Sequence, residues 1–383
     1  MDKMNLFDIY KHYIATDNDD DSCRYYYGIR KNYQDFYHDF KADEYIKNNF
    51  NIGGKQDCIS IIPELEKLRY EHMLSLYLLG IYFYDHINII KFSINNLISN
   101  LYRKSRFEDD FDLRREFLYI WYLISLYHDI ASTHEDNHNY HEYIPEHVKR
   151  FCGKILKTKL LDNEIGIPAV LLDSLKTYMY NYRFMTCEKY DHGLYAAELF
   201  HKSMIKLHKG TEHLVGNLLF GRNIYEYLIY PVIMTILVHN IWFRFQVEDE
   251  KSTFKYREHG LERLIIAKEC SPIFLSIHPL LFLFNLIDTI EPIKYFKNFD
   301  YWFDILKNIE IKNICDNTIK IIYPHKECRK SFKNYSCQCI QIGRFECTSN
   351  ICNNLAFLYN CEFNAKIVYN NKYQEELVLN FSI

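Results

Sequence analysis

Apolar residues recur at helical spacing from about Ile62 to Phe296, and this pattern predicts helices through most of that stretch. The segment 66–98 places one stripe on a single helix face, formed by Leu68, His72, Leu76, Leu79, Phe83 and Ile90. The segment 112–131 is apolar on every side after a charged start, as expected of a central helix. Further helices are predicted around 168–183, 192–209, 225–244, 260–269 and 278–290, and Pro292 ends the last of them.

The pattern changes after about Tyr301. TIKIIYP, AKIVYN and ELVLNFS alternate apolar and polar residues between short turns, which is typical of strands. The first sixty or so residues are polar and irregular in pattern, with the acidic tract TDNDDD at 16–21. We therefore predict a mainly α protein with three parts. These are a polar, irregular segment 1–61, a helical domain 62–300, and a small β-rich or α+β C-terminal unit 301–383.

Two apolar stretches, 227–243 and 270–287, approach the length of a membrane span. Each contains a histidine and is interrupted by proline, so buried core helices are the better interpretation. The first ten residues show no apolar run behind basic residues, and hence no signal peptide. We expect a cytoplasmic protein that has no membrane partner.

Composition narrows the class of protein only a little. Hydrophobic residues make up 48% of the chain and charged residues 25%, which is the ordinary globular range. The formal net charge of -4 disfavours a protein whose main work is wrapping duplex nucleic acid. The twelve cysteines are expected to be mostly reduced, because neither CQC at 337–339 nor Cys347 with Cys352 has the spacing of a zinc site.

Polar side chains interrupt several of the apolar helices. His128 and Asp129 end the most apolar one, and burying such a pair is costly unless a charged partner compensates it. Inward-facing histidines or aspartates occur on five predicted helices, at His72, His128-Asp129, His192, His239 and Asp288. Any one of them is more often a hydrogen-bonded core group than a ligand. Together, imidazole and carboxylate groups indicate a shared site for a divalent metal.

The ordered series His…His-Asp…His…His…Asp resembles the HD-domain superfamily of metal-dependent phosphohydrolases, and its bacterial binuclear members in particular. The resemblance covers roughly 62–296 and rests on RYEHMLSLYLLG, ISLYHDIA, DHGLYAAEL, ILVHNIW and PLLFLFNLIDTIEP. It implies a first metal held by His72, His128, Asp129 and Asp288, and a second held by His192 and His239 with Asp129 bridging. The ions would be two divalent cations chosen from Mn, Fe, Ni, Zn and Mg.

The same resemblance implies hydrolysis of a phosphate ester, in a nucleotide or a related small molecule. Two close cations would lower the pKa of a bridging water, and the resulting hydroxide would attack phosphorus in line. Asp129 would thus serve catalysis as well as metal binding. His134 and Glu135, in a loop after the doublet, could contact substrate or protonate the leaving oxygen, although a solvated loop is the commoner role. Arg69, one turn before His72, could reach a phosphate or pair with a carboxylate.

Several points stay open. HDIAS replaces the HDxGK of many HD nucleases and phosphodiesterases, and the GYP and HDxxED elements of other members are absent, so the substrate is not indicated. The alternatives are an HD-type nuclease acting on single-stranded nucleic acid and a non-catalytic, metal-binding regulatory or interaction protein. His86 competes with His72 because both lie on one helical stripe, and RYEHMLS favours His72. The oligomeric state is likewise open.

Overall fold

A computed structural model of the chain describes residues 4–14, 63–105, 113–131, 192–201, 230–239, 273–292, 306–315, 317–324, 351–352, 355, 358–371 and 374–382. Its helices are α1 (Leu6–Ile14), α2 (Pro63–His86), α3 (Asn88–Ser105), α4 (Leu113–Tyr127), α5 (Tyr230–Val238) and α6 (Pro279–Ile290), with a further helical segment at 192–201. The strands are β1 (Met4–Asn5), β2 (Glu310–Cys315), β3 (Thr318–Pro324), β4 (Phe363–Asn371) and β5 (Gln374–Phe381).

Helices α2 and α4 cross at close range in the middle of the core. Gly80 permits this approach, because a Cβ there would lie 2.2 Å from the Trp121 ring. The Trp121 indole Nε1–H donates to the Tyr77 carbonyl at 3.0 Å, so the buried ring has its polar atom satisfied. This contact fixes the spacing of the two helices that carry His72 and the His128-Asp129 pair.

Helices α5 and α6 are the described parts of the two long apolar stretches, and both are buried. Pro279 opens α6 at a position where its missing N–H costs nothing, and the helix ends at Ile290, two residues before Pro292. All of its residues are buried except Asp288, which is partly exposed. No helix in the described ranges is both long enough and apolar enough to cross a bilayer.

The five strands form one antiparallel sheet in the order β1-β2-β3-β5-β4. Ile321 of β3 pairs with Leu377 of β5, which pairs in turn with Ile367 of β4. Ile319, Ile321, Leu377 and Leu379 are all buried. The alternation read from TIKIIYP, AKIVYN and ELVLNFS therefore corresponds to strands with a buried face.

The prediction of a mainly α protein is wrong. Of the residues that the structure describes, 64% are helical and 19% are in strands, and the strands form a five-stranded sheet. Part of the reason lies at the start of the chain, within the segment expected to be polar and irregular. Met4–Asn5 pair with β2, and a two-residue strand is too short to show alternation. Helix α1 follows it and buries Leu6, Ile9 and Tyr10.

The sheet packs on the helices and shares their core. The Phe282 ring of α6 lies 5.3 Å from the Phe363 ring of β4. The Tyr323 hydroxyl of β3 donates to the Ile290 carbonyl at 3.0 Å, at the last residue of α6. The sheet thus braces the end of the helix that carries Asp288. The helices predicted around 168–183 and 260–269, the acidic tract and the boundary at 300/301 lie outside the described residues.

Candidate metal centre

Five separate segments bring histidines and aspartates to one place. His72 lies within α2, His128 and Asp129 directly follow α4, His192 opens the segment 192–201, His239 follows α5, and Asp288 lies in the last turn of α6. Four of these five positions, all except His72, lie at or next to a helix end. Side chains there can turn toward a shared centre while the apolar bodies of the helices pack side by side.

The first group consists of His72, His128 and Asp288, whose ligand atoms all lie within 4.8 Å of one another. His72 Nε2 is 3.2 Å from Asp288 Oδ1, and the rings of His72 and His128 are 5.4 Å apart. Both histidines are buried. Two imidazoles and one carboxylate are therefore arranged around a single point.

The second group consists of Asp129, His192 and His239, with the same 4.8 Å limit between ligand atoms. His192 Nε2 lies 3.1 Å from Asp129 Oδ1, and the rings of His192 and His239 are 5.2 Å apart. Asp129 Oδ2 is 3.7 Å from His128 Nε2, which belongs to the first group. The two groups are therefore neighbours, with Asp129 at their boundary.

Three of the histidines are held through Nδ1, which leaves Nε2 for a ligand. The Nδ1–H of His128 donates to the Ser125 carbonyl at 2.9 Å, and that of His239 donates to the Ile236 carbonyl at 2.6 Å. Both carbonyls lie in the last turn of a helix, where carbonyls lack intrahelical partners. His72 Nδ1 instead lies 2.6 Å from a carboxylate oxygen of Glu291. Such contacts fix the tautomer and the ring orientation of metal-binding histidines.

The aromatic ring of Phe284 lies beside the two groups. The buried Phe284 ring is 5.0 Å from the His128 ring and 5.2 Å from the His239 ring, in edge-on geometry. Because α6 carries both Phe284 and Asp288, one helix supplies a donor to the centre and an apolar surface against two of its imidazoles. Contact with this apolar surface restricts the rotation of both imidazole rings.

Charge and burial oppose each other at this centre. Burial lowers the pKa of His128, and burial together with the neighbouring His192 lowers the pKa of His239 to about 4. Burial would raise the pKa of Asp129, but the adjacent histidines outweigh it and hold the pKa well below its usual range. Neutral imidazoles beside an ionised carboxylate are the forms that bind cations.

His72 differs from the other histidines in its charge. Burial alone would lower its pKa, but the charge of Glu291 and the hydrogen bonds to Asp288 and Glu291 raise it to about 10. Without metal, the ring therefore carries a proton near neutral pH and pairs with two carboxylates. A cation bound at the first group would replace that proton.

These residues fit divalent metal ions. Among the residues that the structure describes, none hydrogen-bonds to the buried His128 Nε2, a costly state that a bound cation would relieve. Imidazole nitrogens and carboxylate oxygens together suit Mn, Fe, Ni or Zn. The structure thus has two His/Asp groups that could hold a metal ion.

The six metal-binding candidates from the sequence are the six members of the two groups, although their roles as ligands stay predictions. The grouping differs from that implied by the resemblance, because Asp129 lies with His192 and His239, and its described contact with the first group is with His128. The rival His86 belongs to neither group. It is exposed at the end of α2, and its ring stacks on Tyr82 at 4.2 Å.

The remaining candidates are less fully described. Arg69 lies in α2 one turn before His72, and His134 and Glu135 fall outside the described residues. Glu291 is the participant that the sequence interpretation missed. Its signal was the spacing D-x-x-E in IDTIEP, because residues three apart on a helix lie on one face.

The described residues combine a helical core and an antiparallel five-stranded sheet with two adjacent His/Asp groups that are buried or partly buried. A scan against protein-family models finds no match, and searches of curated proteins and of solved structures find no similar protein. The function must therefore be argued from the site itself.

Proposed function

We propose that the protein is a metal-dependent phosphohydrolase that binds two divalent ions and hydrolyses a phosphate ester, in a nucleotide or a related small molecule. The observation that carries this proposal is the adjacency of the two His/Asp groups, linked by the 3.7 Å approach of His128 Nε2 to Asp129 Oδ2. The order of these residues along the chain, which resembles that of the HD superfamily, also supports it.

In this reaction, the chain's own residues would hold the two ions and keep the donor atoms of the histidines in position. His72, His128 and Asp288 would hold one ion, and Asp129, His192 and His239 the other. Bound there, divalent cations would supply Lewis acidity, which activates water and neutralises charge on phosphoryl oxygens. The Nδ1 contacts of the histidines keep the donor atoms directed at the centre, so no reorganisation is needed when substrate arrives.

Substrate contacts would come from residues around the doublet. His134 and Glu135 follow it by a few positions and are our candidates for binding substrate or for protonating the leaving oxygen. Arg69, one turn before His72 on α2, is our candidate for binding a phosphate. The six described members of the two groups are histidines and aspartates, a set that suits activation of water and leaves substrate choice to such peripheral groups.

Hydrolysis of bis-p-nitrophenyl phosphate by the metal-free chain with added Mn²⁺ tests the proposal. We expect steady release of p-nitrophenol, and a loss of at least about 100-fold in kcat/KM for Asp129→Ala or His72→Ala, because each removes a ligand. The matched control is His86→Ala, which makes the same change on an exposed histidine of the same helix and should leave the rate unchanged. Absence of release with Mn²⁺, Fe²⁺, Ni²⁺, Zn²⁺ and Mg²⁺ alike would contradict the proposal.

A metal-supplemented screen then identifies the substrate class. We expect release of phosphate or of a nucleoside product from nucleotides or cyclic dinucleotides, with the Asp129→Ala variant as blank. Cleavage of single-stranded DNA in the same screen, without turnover of small nucleotides, would instead support a nuclease.

A further inference from the structure

Glu291 has an unusual position for a glutamate. It follows the last residue of α6, its backbone N–H donates to the Ile287 carbonyl at 2.8 Å, and its side chain is wholly buried. Its Oε2 lies 2.6 Å from His72 Nδ1. A carboxylate at a helix end usually reaches water, so one that is turned into the core indicates a specific partner.

His72 lies between the carboxylates of Asp288, in the last turn of α6, and Glu291, which directly follows the helix. Its Nε2 is 3.2 Å from Asp288 Oδ1, on the side of the metal-binding candidates, and its Nδ1 faces Glu291 on the other side. Pro292 and the bond from Tyr323 to the Ile290 carbonyl fix the helix end that presents both carboxylates. The ring is therefore held in plane and in position before any ion binds.

The two groups differ in this respect. In the second group, His239 Nδ1–H donates to a neutral backbone carbonyl, as His128 Nδ1–H does in the first. Of the three candidate ligands His72, His128 and His239, whose Nδ1 contacts the structure describes, His72 has a carboxylate there. In the described part of the chain, the first group therefore contains Asp288 and has Glu291 on the far side of the His72 ring, while Asp129 is the carboxylate among the three members of the second group. A carboxylate on the far side of a ligating imidazole increases the donor strength of its metal-facing nitrogen.

We propose that Glu291 is a positioning residue that makes the group of His72, His128 and Asp288 the tighter metal site, so that the two sites fill in order. This inference rests on the proposed binuclear site and extends it. The additional negative charge lies a single imidazole away from the cation, in a buried environment where charges interact strongly. The second site fills afterwards and is the one whose occupancy varies with the supply of metal.

Titration of the metal-free full-length chain with Mn²⁺, followed by calorimetry and by the EPR signal of free Mn²⁺, tests the order of filling. We expect two steps of unequal affinity in the wild-type chain. Glu291→Gln retains size and a hydrogen-bond acceptor but removes the charge, so it should weaken the tight step by about 10–100-fold and leave the weak step unchanged. His239→Ala should remove the weak step and retain the tight one.

The matched control is Glu376→Gln. Glu376 is also buried, and it pairs with Lys320 at 2.6 Å in the sheet, so the same substitution there perturbs a buried ion pair without touching the centre. It should leave both binding steps unchanged. Metal-free variants are compared by circular dichroism, so that a change in affinity with unchanged helix content is assigned to the charge and not to unfolding.

The outcomes separate this inference from the proposed function. Two Mn²⁺ steps of equal affinity, or two steps that Glu291→Gln leaves unchanged, would overturn the role of Glu291 while the binuclear site stands. Failure of the wild-type chain to bind Mn²⁺ would overturn the proposed function and this inference with it. Should Glu291→Gln not fold, His72→Ala and His239→Ala decide the order of filling, because the tight step must vanish in the first and persist in the second.

Discussion

The ionisable residues at this centre are buried or partly buried, and each described here is paired with a neighbour of opposite charge or a hydrogen-bond partner. Asp129 lies 3.1 Å from His192 Nε2, and His72 lies between Asp288 and Glu291. Unpaired, these charges would cost several kcal/mol each. Within the described part of the two groups, the buried His128 Nε2 has no hydrogen-bond partner, and it lies 3.7 Å from Asp129 Oδ2 of the other group.

Metal uptake should release a proton from His72. The pKa of this ring in the metal-free chain is raised to about 10, so it holds a proton that a cation must displace. A proton bound below that pKa competes with metal, so the apparent affinity of the first site should rise about tenfold per pH unit between about pH 6.5 and about pH 8.5. His239, with its pKa lowered to about 4, is already neutral in this range and adds nothing to the slope.

The measurement is the Mn²⁺ affinity of the tight step at several pH values, with proton release followed by calorimetry in two buffers of different ionisation enthalpy. The His239→Ala variant serves as control, since it should keep the slope. An affinity independent of pH in this window would show that His72 is neutral before metal binds.

The residues of the site could be predicted from sequence to different degrees. A histidine or aspartate within an apolar helix can be recognised in the sequence as a candidate functional residue, because burying it without a partner is costly. That argument indicated His72, His128 and His239, and each is buried as expected. Glu291 stayed hidden because it stands beside Pro292 at a helix end, where a glutamate is ordinarily solvated. The division of six residues into two groups depends on contacts between distant segments, which spacing along the chain does not encode.

At the scale of helices and strands, the centre depends on two supports. The crossing of α2 and α4 sets the distance between His72 and His128, and the sheet holds the end of α6 through Tyr323. The first support depends on the absence of a side chain at Gly80, and the second is the hydrogen bond from Tyr323 to Ile290. A substitution can change each support without replacing a proposed metal ligand.

Gly80→Ala should destabilise the fold. Alanine favours a helix by about 1 kcal/mol over glycine, but its Cβ would meet the buried Trp121 ring at 2.2 Å. Overpacking of this kind costs about 1–3 kcal/mol, and the severity of the clash favours a net loss. Urea unfolding of the metal-free chain measures it. The control is Asn96→Ala on the exposed face of α3, which should be neutral or slightly stabilising; a gain in stability for both variants would show that α2 and α4 are further apart.

Tyr323→Phe should weaken metal binding although it removes none of the proposed metal ligands. It deletes the hydroxyl that donates to the Ile290 carbonyl at 3.0 Å, at a net cost of about 1 kcal/mol. The end of α6 would then hold Asp288 and Glu291 less firmly, so the tight Mn²⁺ step should weaken by a few-fold. Binding of Mn²⁺ equal to wild type, with stability reduced, would confine the role of this bond to the fold.

Elements were predictable where periodicity had enough length to be seen. The long helices α2, α4 and α6 overlap the segments that apolar spacing indicated, and so do the strands β3, β4 and β5. The segment 66–98, which the spacing predicted as one helix, is divided between α2 and α3. Strand β1 could not be predicted, because two residues are too few to show an alternating pattern of apolar and polar side chains. Helix α1 was missed because the first sixty residues are polar on average. Pairing of β1 with β2, more than three hundred residues away in sequence, is a tertiary effect.

For the whole molecule, the centre is where distant parts of the chain meet. The two groups draw on five segments spread from α2 to α6, and the sheet that braces α6 includes residues from both ends of the described chain. The expectation of a mainly α protein failed because it treated the sheet as a minor addition. Bound ions would join segments that otherwise contact one another mainly through apolar packing.

Metal should therefore stabilise the native chain as a whole. A ligand present at 100 times its dissociation constant adds about 2.7 kcal/mol per site, because it binds the folded state. We expect Mn²⁺ to raise the thermal unfolding midpoint by a few degrees and a chelator to reverse the change. The shift should be smaller in His239→Ala, which keeps one group, and should persist in His86→Ala. Identical midpoints with metal and with chelator would mean that the centre contributes nothing to stability.

Anomalous X-ray scattering at the manganese edge, from crystals of the chain grown with Mn²⁺, tests the central claim most directly. We predict two anomalous peaks per chain. One should lie among His72, His128 and Asp288, and the other among Asp129, His192 and His239. A map without a peak at either group, from crystals in which the chain is ordered at these residues, would contradict the account.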